Sequence, residues 1–181
     1  MTRRIGPVLA MLVLAAPLFA QQAPATAPKV ESNPISNHLR SDLAQSAKNF
    51  VAAAEEMPAD KYSYQPTPEQ MTFAHLIFHT VQANNALCSK ISGATAPDAK
   101  IADTDGKDKL VAALKASYDY CTTNLAHVDD SNLGDVIPLF GTHTSSRGGT
   151  MMIMCAEFAD HYSIAAMYLR LSGLLPPTAK K

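Results

Sequence analysis

Apolar residues recur at helical spacing in four separate stretches of the chain. The first stretch covers residues 37–57, and its apolar stripe consists of Leu39, Leu43, Phe50 and Ala54. Charged residues fall between these positions, which is the pattern of an amphipathic helix with one face on a core. Pro58 ends the pattern, because proline cannot continue a helix. We therefore predict a first helix over residues 37–57, with Asn33 or Ser36 as its cap.

The same spacing predicts three further helices, over residues 68–92, 107–126 and 150–172. Thr67 followed by Pro68 is a typical helix start, and Gly93 and Gly173 are typical helix ends. Alternation typical of strands is not visible, so the pattern predicts an all-α four-helix bundle. Residues 128–149, which include four glycines, are expected to form an irregular segment over one end of the bundle.

The first twenty residues have the pattern of a secretory signal peptide. Two arginines precede an apolar run over residues 5–19, and Ala20 closes the run with a small side chain. The run is shorter than the ~20 residues of a membrane-spanning helix, so we predict cleavage between Ala20 and Gln21. An uncleaved N-terminal anchor is the alternative, and Arg3-Arg4 is also compatible with a twin-arginine signal. The mature protein is expected to be exported, either periplasmic or secreted.

Residues 21–34 are rich in Gln, Ala, Pro and Thr and are predicted to be a disordered linker. Residues 35–178 then form one domain, long enough to bury a core. The net charge of −1 with scattered lysines argues against nucleic acid as a partner and against a membrane surface for the mature domain. The three cysteines allow at most one internal disulfide and leave one thiol over.

Glu157 and His161 lie in the apolar sector of the fourth predicted helix. An ionised carboxylate is costly there unless it is paired or binds a cation. Side chains four residues apart stack on one helix face and can chelate one ion. His79 lies midway along the second predicted helix, beside small alanines, and can reach the same height of a bundle. The alternative is an ordinary buried histidine that bonds to a glutamate.

Two histidines and a glutamate are a ligand set found at catalytic zinc, with a fourth position open. Zinc is therefore the first choice for His79, Glu157 and His161, and nickel, iron or manganese also fit these donors.

Two stretches of the chain resemble the DinB family, also called DinB/YfiT-like metalloenzymes. One is MPADKYSYQPTPEQMTFAHLIFHTVQANNALCSKISG, in which Phe73 stands six residues before His79. The other is DHYSIAAMYLRLSGLLPP, which carries the family's closing signature of His-Tyr, Tyr-Leu-Arg and a glycine before two prolines. The resemblance covers nearly all of the mature domain. It implies a four-helix bundle with up-down-down-up connections.

The resemblance also implies a divalent metal held by three histidines, one from the second helix and two from the fourth. His79 matches the first of these positions and His161 the last. This chain departs from the family at the middle position, where Glu157 stands in place of histidine. Glutamate also binds zinc, so the candidate ligands remain His79, Glu157 and His161. His75 is either a supplementary ligand or a surface histidine.

The implied topology places Cys88 and Cys121 toward the same end of two parallel helices, which opens a disulfide between them. Cys155 would then be a buried free thiol on a face of the fourth helix different from that of Glu157.

For function, the resemblance implies a metal-dependent hydrolase or transferase that acts on an unknown small-molecule substrate. Export favours the hydrolase, because the small thiols used by related transferases are cytosolic. The alternative is a non-catalytic exported bundle that binds a ligand or a protein. A homodimer through helix faces is a further expectation.

Overall fold

The computed structural model describes residues 30–180, and four long helices account for most of them. These are α1 (Pro34–Glu56), α2 (Phe73–Ser92), α3 (Lys107–Leu125) and α4 (Arg147–Leu171). Short 3-10 turns occupy Ala59–Lys61, Asp130–Asn132 and Pro177–Ala179, and two strands, β1 (Val136–Pro138) and β2 (Thr144–Ser146), pair antiparallel. The predicted all-α four-helix bundle is confirmed. The predicted signal peptide and residues 21–29 of the linker lie outside the described residues.

Helix α1 begins at Pro34, three residues before the predicted start and inside the predicted linker. Asn33 occupies the N-cap position, as one of the two predictions had it, but its side chain makes no capping hydrogen bond, and Ser36 lies inside the helix. Instead, the carboxylate of Asp130 accepts hydrogen bonds from the backbone N–H groups of Ile35 and Ser36, at 2.9 and 2.8 Å. The cap thus comes from a residue far away in the sequence, where the local pattern could not reveal it.

Helix α2 begins at Phe73, five residues after the predicted start. Thr67 and Pro68 open a turn instead, in which the N–H of Gln70 donates to the carbonyl of Thr67 at 3.1 Å. The cap is Thr72, whose hydroxyl accepts from the N–H of His75 at 3.1 Å. Thr67 and Pro68 therefore mark a turn, and the residue that caps the helix is the next threonine, Thr72.

The segment before α4 contains a small hairpin that the sequence did not predict. Ile137 pairs with Ser145 at its centre, and Phe140 lies in the loop that joins the two strands. Three residues per strand are too few to show an alternating pattern. Ser146 ends β2 and also caps α4, since its hydroxyl accepts from the N–H of Gly149 at 3.0 Å. Helix α4 consequently begins at Arg147, three residues before the predicted start.

Side-chain contacts fix the direction of each helix. A disulfide joins Cys88 of α2 to Cys121 of α3 with 5.3 Å between the Cα atoms, within the usual range. Four residues earlier on both helices, the amide of Asn84 donates to the hydroxyl of Ser117 at 3.1 Å, so α2 and α3 run parallel. The predicted disulfide is confirmed.

The other two helices run against this pair. Arg40, near the start of α1, donates to the carbonyl of Leu125 at the end of α3, at 3.2 Å. The sulfur of Cys88, late in α2, lies 3.8 Å from the sulfur of Met154, early in α4. Helices α1 and α4 are therefore antiparallel to α2 and α3, and the up-down-down-up topology is confirmed.

The core lies between the four helices. Its largest fully buried side chains include Leu39, Phe50, Phe73, Leu76, Leu87, Leu110, Leu114 and Tyr168. The register that this core imposes sets which polar side chains of α2 and α4 meet. Across residues 30–180, none of the helices combines the length and the apolar character needed to cross a membrane.

Candidate metal site

The candidate ligands His79, Glu157 and His161 come together where α2 and α4 pack. His79 lies in the second turn of α2, and Glu157 and His161 occupy successive turns in the middle of α4. One donor atom from each side chain lies within 4.8 Å of the other two. The two imidazole rings are nearly perpendicular, at 83°, with 5.0 Å between their centroids. The antiparallel packing of α2 and α4 thus brings together all three residues that the sequence singled out.

The spacing of the donors is close to that of a metal site. Nε2 of His161 lies 3.1 Å from Oε2 of Glu157. Tetrahedral zinc ligands with bonds of ~2.0–2.2 Å stand roughly 3.3–3.6 Å apart, so the two atoms are in direct ion-pair contact and would separate slightly to bind one ion. A ring nitrogen of His79 lies within 4.8 Å of donor atoms on both residues, and the side chain is exposed, so it is free to turn toward them.

The site is buried on one side and open on the other. His161 is 5 % exposed, whereas the side chain of Glu157 is 38 % exposed and His79 is exposed. The prediction that Glu157 and His161 share an apolar sector therefore holds for His161, while Glu157 lies at the rim. An open rim would let an ion, water or a substrate reach the donors.

Burial lowers the pKa of His161. The charge of Glu157 acts in the opposite direction, and His79 adds to the lowering. His161 is consequently neutral at pH 7, and the neutral imidazole is the form that can bind a metal ion.

A pocket of about 280 Å³ opens directly beside the donors. His79 and Glu157 form its polar wall, and Ala83, Ala86 and Phe140 form much of its apolar wall. The alanines leave the space that larger side chains on this face of α2 would fill. Phe140 comes from the loop of the unpredicted hairpin, and the ammonium of Lys90 lies 5.5 Å from its ring centroid, in cation–π contact.

The remaining histidines lie outside this site. Nδ1 of His75 lies 2.8 Å from a carboxylate oxygen of Asp103, so His75 is a surface histidine that ties α2 to the loop before α3. His38, His127 and His143 are exposed.

Cys155 faces α1, away from Glu157, as the sequence predicted, but it is half-buried and not fully enclosed. Burial raises the pKa of its thiol to about 12, and the nearby charge of Asp42 adds to the rise. The free thiol is therefore protonated at neutral pH and is a poor nucleophile. Sequence reasoning missed that Cys155, Asp42 and His38 lie together; the four-residue spacing of His38 and Asp42 was the available signal.

Comparison with known proteins decides the family. The DinB superfamily profile matches residues 42–165, a span that includes His79, Glu157 and His161. The chain belongs to the DinB superfamily. The match confirms the DinB resemblance of the two sequence stretches. A search of the curated proteins finds no match to this DinB chain.

Solved structures share the DinB fold. A DinB-like protein from Bacillus subtilis superposes with a TM-score of 0.64 at 20 % identity, covering 80 % of this chain and 99 % of its own. A DinB-like protein from Bacillus cereus gives 0.64 at 14 % identity, with 78 % and 95 % covered. A conserved protein from Enterococcus faecalis gives 0.59 at 16 % identity, with 75 % and 95 % covered. At these identities the likeness shows the fold alone.

Proposed function

We propose that His79, Glu157 and His161 hold one divalent cation at the wall of the pocket, with zinc as the first choice. The convergence of three donor atoms within 4.8 Å of one another carries the proposal. A two-histidine, one-glutamate set leaves coordination positions open for water or substrate on the pocket side. Nickel, iron and manganese fit the same donors. Metal binding is also common in the DinB superfamily.

Glu157 is expected to change the charge and the metal preference of the site, because the DinB resemblance implies a histidine at this position. A carboxylate in place of a neutral imidazole lowers the net charge of a loaded site by one unit. The oxygen donor also suits harder cations such as manganese better than a third imidazole would. The exchange of histidine for glutamate is therefore expected to change metal preference without removing the site.

The pocket supports a small-molecule reaction. When bound, a divalent ion would supply Lewis acidity and would lower the pKa of a water or small thiol in the pocket. Phe140, Leu87 and the alanines offer apolar contact, and the Gln82 amide can orient a polar group of the substrate. The volume of about 280 Å³ lies just below the usual range of ~300–1,000 Å³ for ligand sites, so a small substrate fits best. We propose metal-dependent hydrolysis of a small molecule as the reaction, with metal-dependent group transfer as the alternative reaction.

The second candidate is a non-catalytic binding module that uses the same pocket. One observation favours it: among the described residues that line the pocket, His79 and Glu157 are the only titratable side chains, and both are assigned to the metal. A separate general acid or base is therefore not evident there.

A panel of small esters and electrophiles, assayed with the zinc-loaded protein, separates the two candidate functions. Turnover that His79→Ala abolishes supports the hydrolase, and metal binding without turnover supports the binding module.

Metal analysis of protein purified without chelator tests the site itself. We expect His79→Ala to bind one equivalent of zinc fewer than the wild type, because it removes one of three ligands. His79 is exposed, so this change is expected to leave the fold intact. His127→Ala is the matched control, since His127 is an exposed histidine away from the site. Equal zinc content in His79→Ala and wild type would contradict the proposal.

We also infer that the protein is exported with cleavage between Ala20 and Gln21. The Cys88–Cys121 disulfide supports this inference, because disulfides persist mainly in oxidising compartments. Protein expressed with its own N-terminus is expected to give a mature form whose N-terminal sequence starts at Gln21. Recovery of the chain with residues 1–20 intact in the membrane fraction would instead support an uncleaved anchor. The predicted homodimer stays a prediction.

A further inference from the structure

A second group of metal-binding side chains lies on the other side of α4, where α1 packs against it. Cys155 and Glu157 are two positions apart, about 200° around the helix, so the two side chains point to nearly opposite faces of α4. His38 and Asp42 occupy successive turns of α1 and meet Cys155 there, with one donor atom of each within 4.8 Å of the other two. We propose that His38, Asp42 and Cys155 form an independent site for a thiophilic divalent cation, with Zn²⁺ as the ion.

The donor geometry fits a zinc site. Nε2 of His38 lies 3.4 Å from Oδ2 of Asp42. Tetrahedral ligands with bonds of ~2.0–2.2 Å stand roughly 3.3–3.6 Å apart, so this pair already has its bound separation. Both residues lie on a rigid helix, and Cys155 comes from the helix packed beside it. The arrangement repeats that of the first site: two donors four residues apart on one helix, and a third donor from its neighbour.

The ligand chemistry selects the class of ion. A sulfur ligand favours zinc over magnesium or calcium, and imidazole and carboxylate are both common zinc ligands. Binding replaces the proton on the Cys155 sulfur, which leaves to solvent, so each ion bound releases one proton. The thiolate and the Asp42 carboxylate together would then balance the charge of the ion.

The site is open to entry from solvent. The side chain of His38 is 69 % exposed and that of Asp42 is 34 % exposed. A groove of about 210 Å³ between α1 and α4 adjoins Asp42 and Cys155, and the amide side chains of Gln45 and Asn49 also line it. A hydrated cation can reach the donors through this groove, and a water retained there can complete the coordination.

Cys155 makes the site spectroscopically unique. The chain has three cysteines, and the disulfide occupies Cys88 and Cys121. Any thiolate ligand must therefore be Cys155 while the disulfide is intact. Cobalt(II) adopts zinc sites and gives a near-ultraviolet sulfur-to-cobalt absorption only when a thiolate binds it. The His79 site offers no sulfur, so this absorption reports the second site alone.

The test is a cobalt titration of the mature protein without reductant. We expect the wild type to develop the sulfur-to-cobalt absorption and zinc to displace it. Cys155→Ser is expected to remove the absorption. His38→Ala is expected to weaken cobalt binding at least tenfold. Loss of a residue that only hydrogen-bonds to a metal ligand already costs roughly 10–100-fold in affinity, and His38 is itself a ligand in this proposal. His127→Ala, the matched histidine control, and His79→Ala are both expected to keep the absorption and its affinity.

Three outcomes would overturn the proposal. The first is that the wild type shows no sulfur-to-cobalt absorption at saturating cobalt. The second is that His38→Ala binds cobalt through sulfur as tightly as the wild type. The third is that His79→Ala loses the absorption, which would show that the thiol serves the first site. Because the readout depends on sulfur, failure of the His79 site alone would leave it unchanged.

Discussion

Replacing Glu157 by alanine is expected to abolish most of the stabilisation that zinc gives through the first site. The experiment uses a Cys155→Ser background, so that the second site does not contribute. Free zinc at a hundred times its dissociation constant stabilises a folded protein by ~2.7 kcal/mol. Loss of the only anionic ligand should weaken zinc binding by about 100-fold or more. Residues that merely hydrogen-bond to a metal ligand already contribute roughly 10–100-fold to affinity. At the same zinc concentration about 0.4 kcal/mol would then remain.

Thermal unfolding with zinc and with chelator measures this effect. For a domain of this size, ~2.7 kcal/mol corresponds to a rise of roughly 5–10 °C in melting temperature. We expect that rise in the background protein and almost none after Glu157→Ala. Glu157→His is the informative control, because it restores the three-histidine set that the DinB resemblance implies and should keep the zinc-dependent rise. An undiminished rise in Glu157→Ala would show that Glu157 does not bind the ion.

Removal of the disulfide is expected to destabilise the fold strongly. The Cys88–Cys121 bond closes a loop across a sequence separation of 33 residues. The chain-entropy model gives a loss of roughly 3–4 kcal/mol for a loop of that length. Urea unfolding of the double variant Cys88→Ala/Cys121→Ala should show this loss. Both sulfurs are fully buried in the core, so the small cavities left by alanine add to it.

Cys155→Ala is the matched control for the disulfide variant. It removes a cysteine that is half-buried and free, so in the presence of chelator it should cost far less than the double variant. A loss below ~1 kcal/mol in the double variant would contradict a stabilising role of the bond.

Much of the bundle could be predicted from the sequence because each helix carries its own apolar stripe. The stripe of Leu39, Leu43 and Phe50 is local information, and so is the stop at Pro58. The helix starts were predicted less well, because two of them depend on distant or competing partners. Asp130, more than ninety residues away in the sequence, caps α1, and Thr72 caps α2 after a turn that resembled a helix start.

The candidate site was predictable to a similar degree. The i, i+4 spacing of Glu157 and His161 is local, the mid-helix position of His79 suggested the third ligand, and the DinB resemblance supported that choice. The partial exposure of the Glu157 side chain was not predictable from the sequence. It depends on the small Ala83 and Ala86 of the neighbouring helix and on the loop that carries Phe140. The cluster around Cys155 escaped prediction for the same reason, since the register between α1 and α4 is set only by three-dimensional packing.

A crystal structure of the zinc-loaded protein, with anomalous data collected at the zinc edge, tests the central claim most directly. We predict an anomalous peak between α2 and α4, bonded to the ring nitrogens of His79 and His161 at ~2.0–2.1 Å and to a carboxylate oxygen of Glu157 at ~2.0–2.2 Å. A structure at saturating zinc with no peak at this position, and with Glu157 and His161 still in direct contact with each other, would contradict the account.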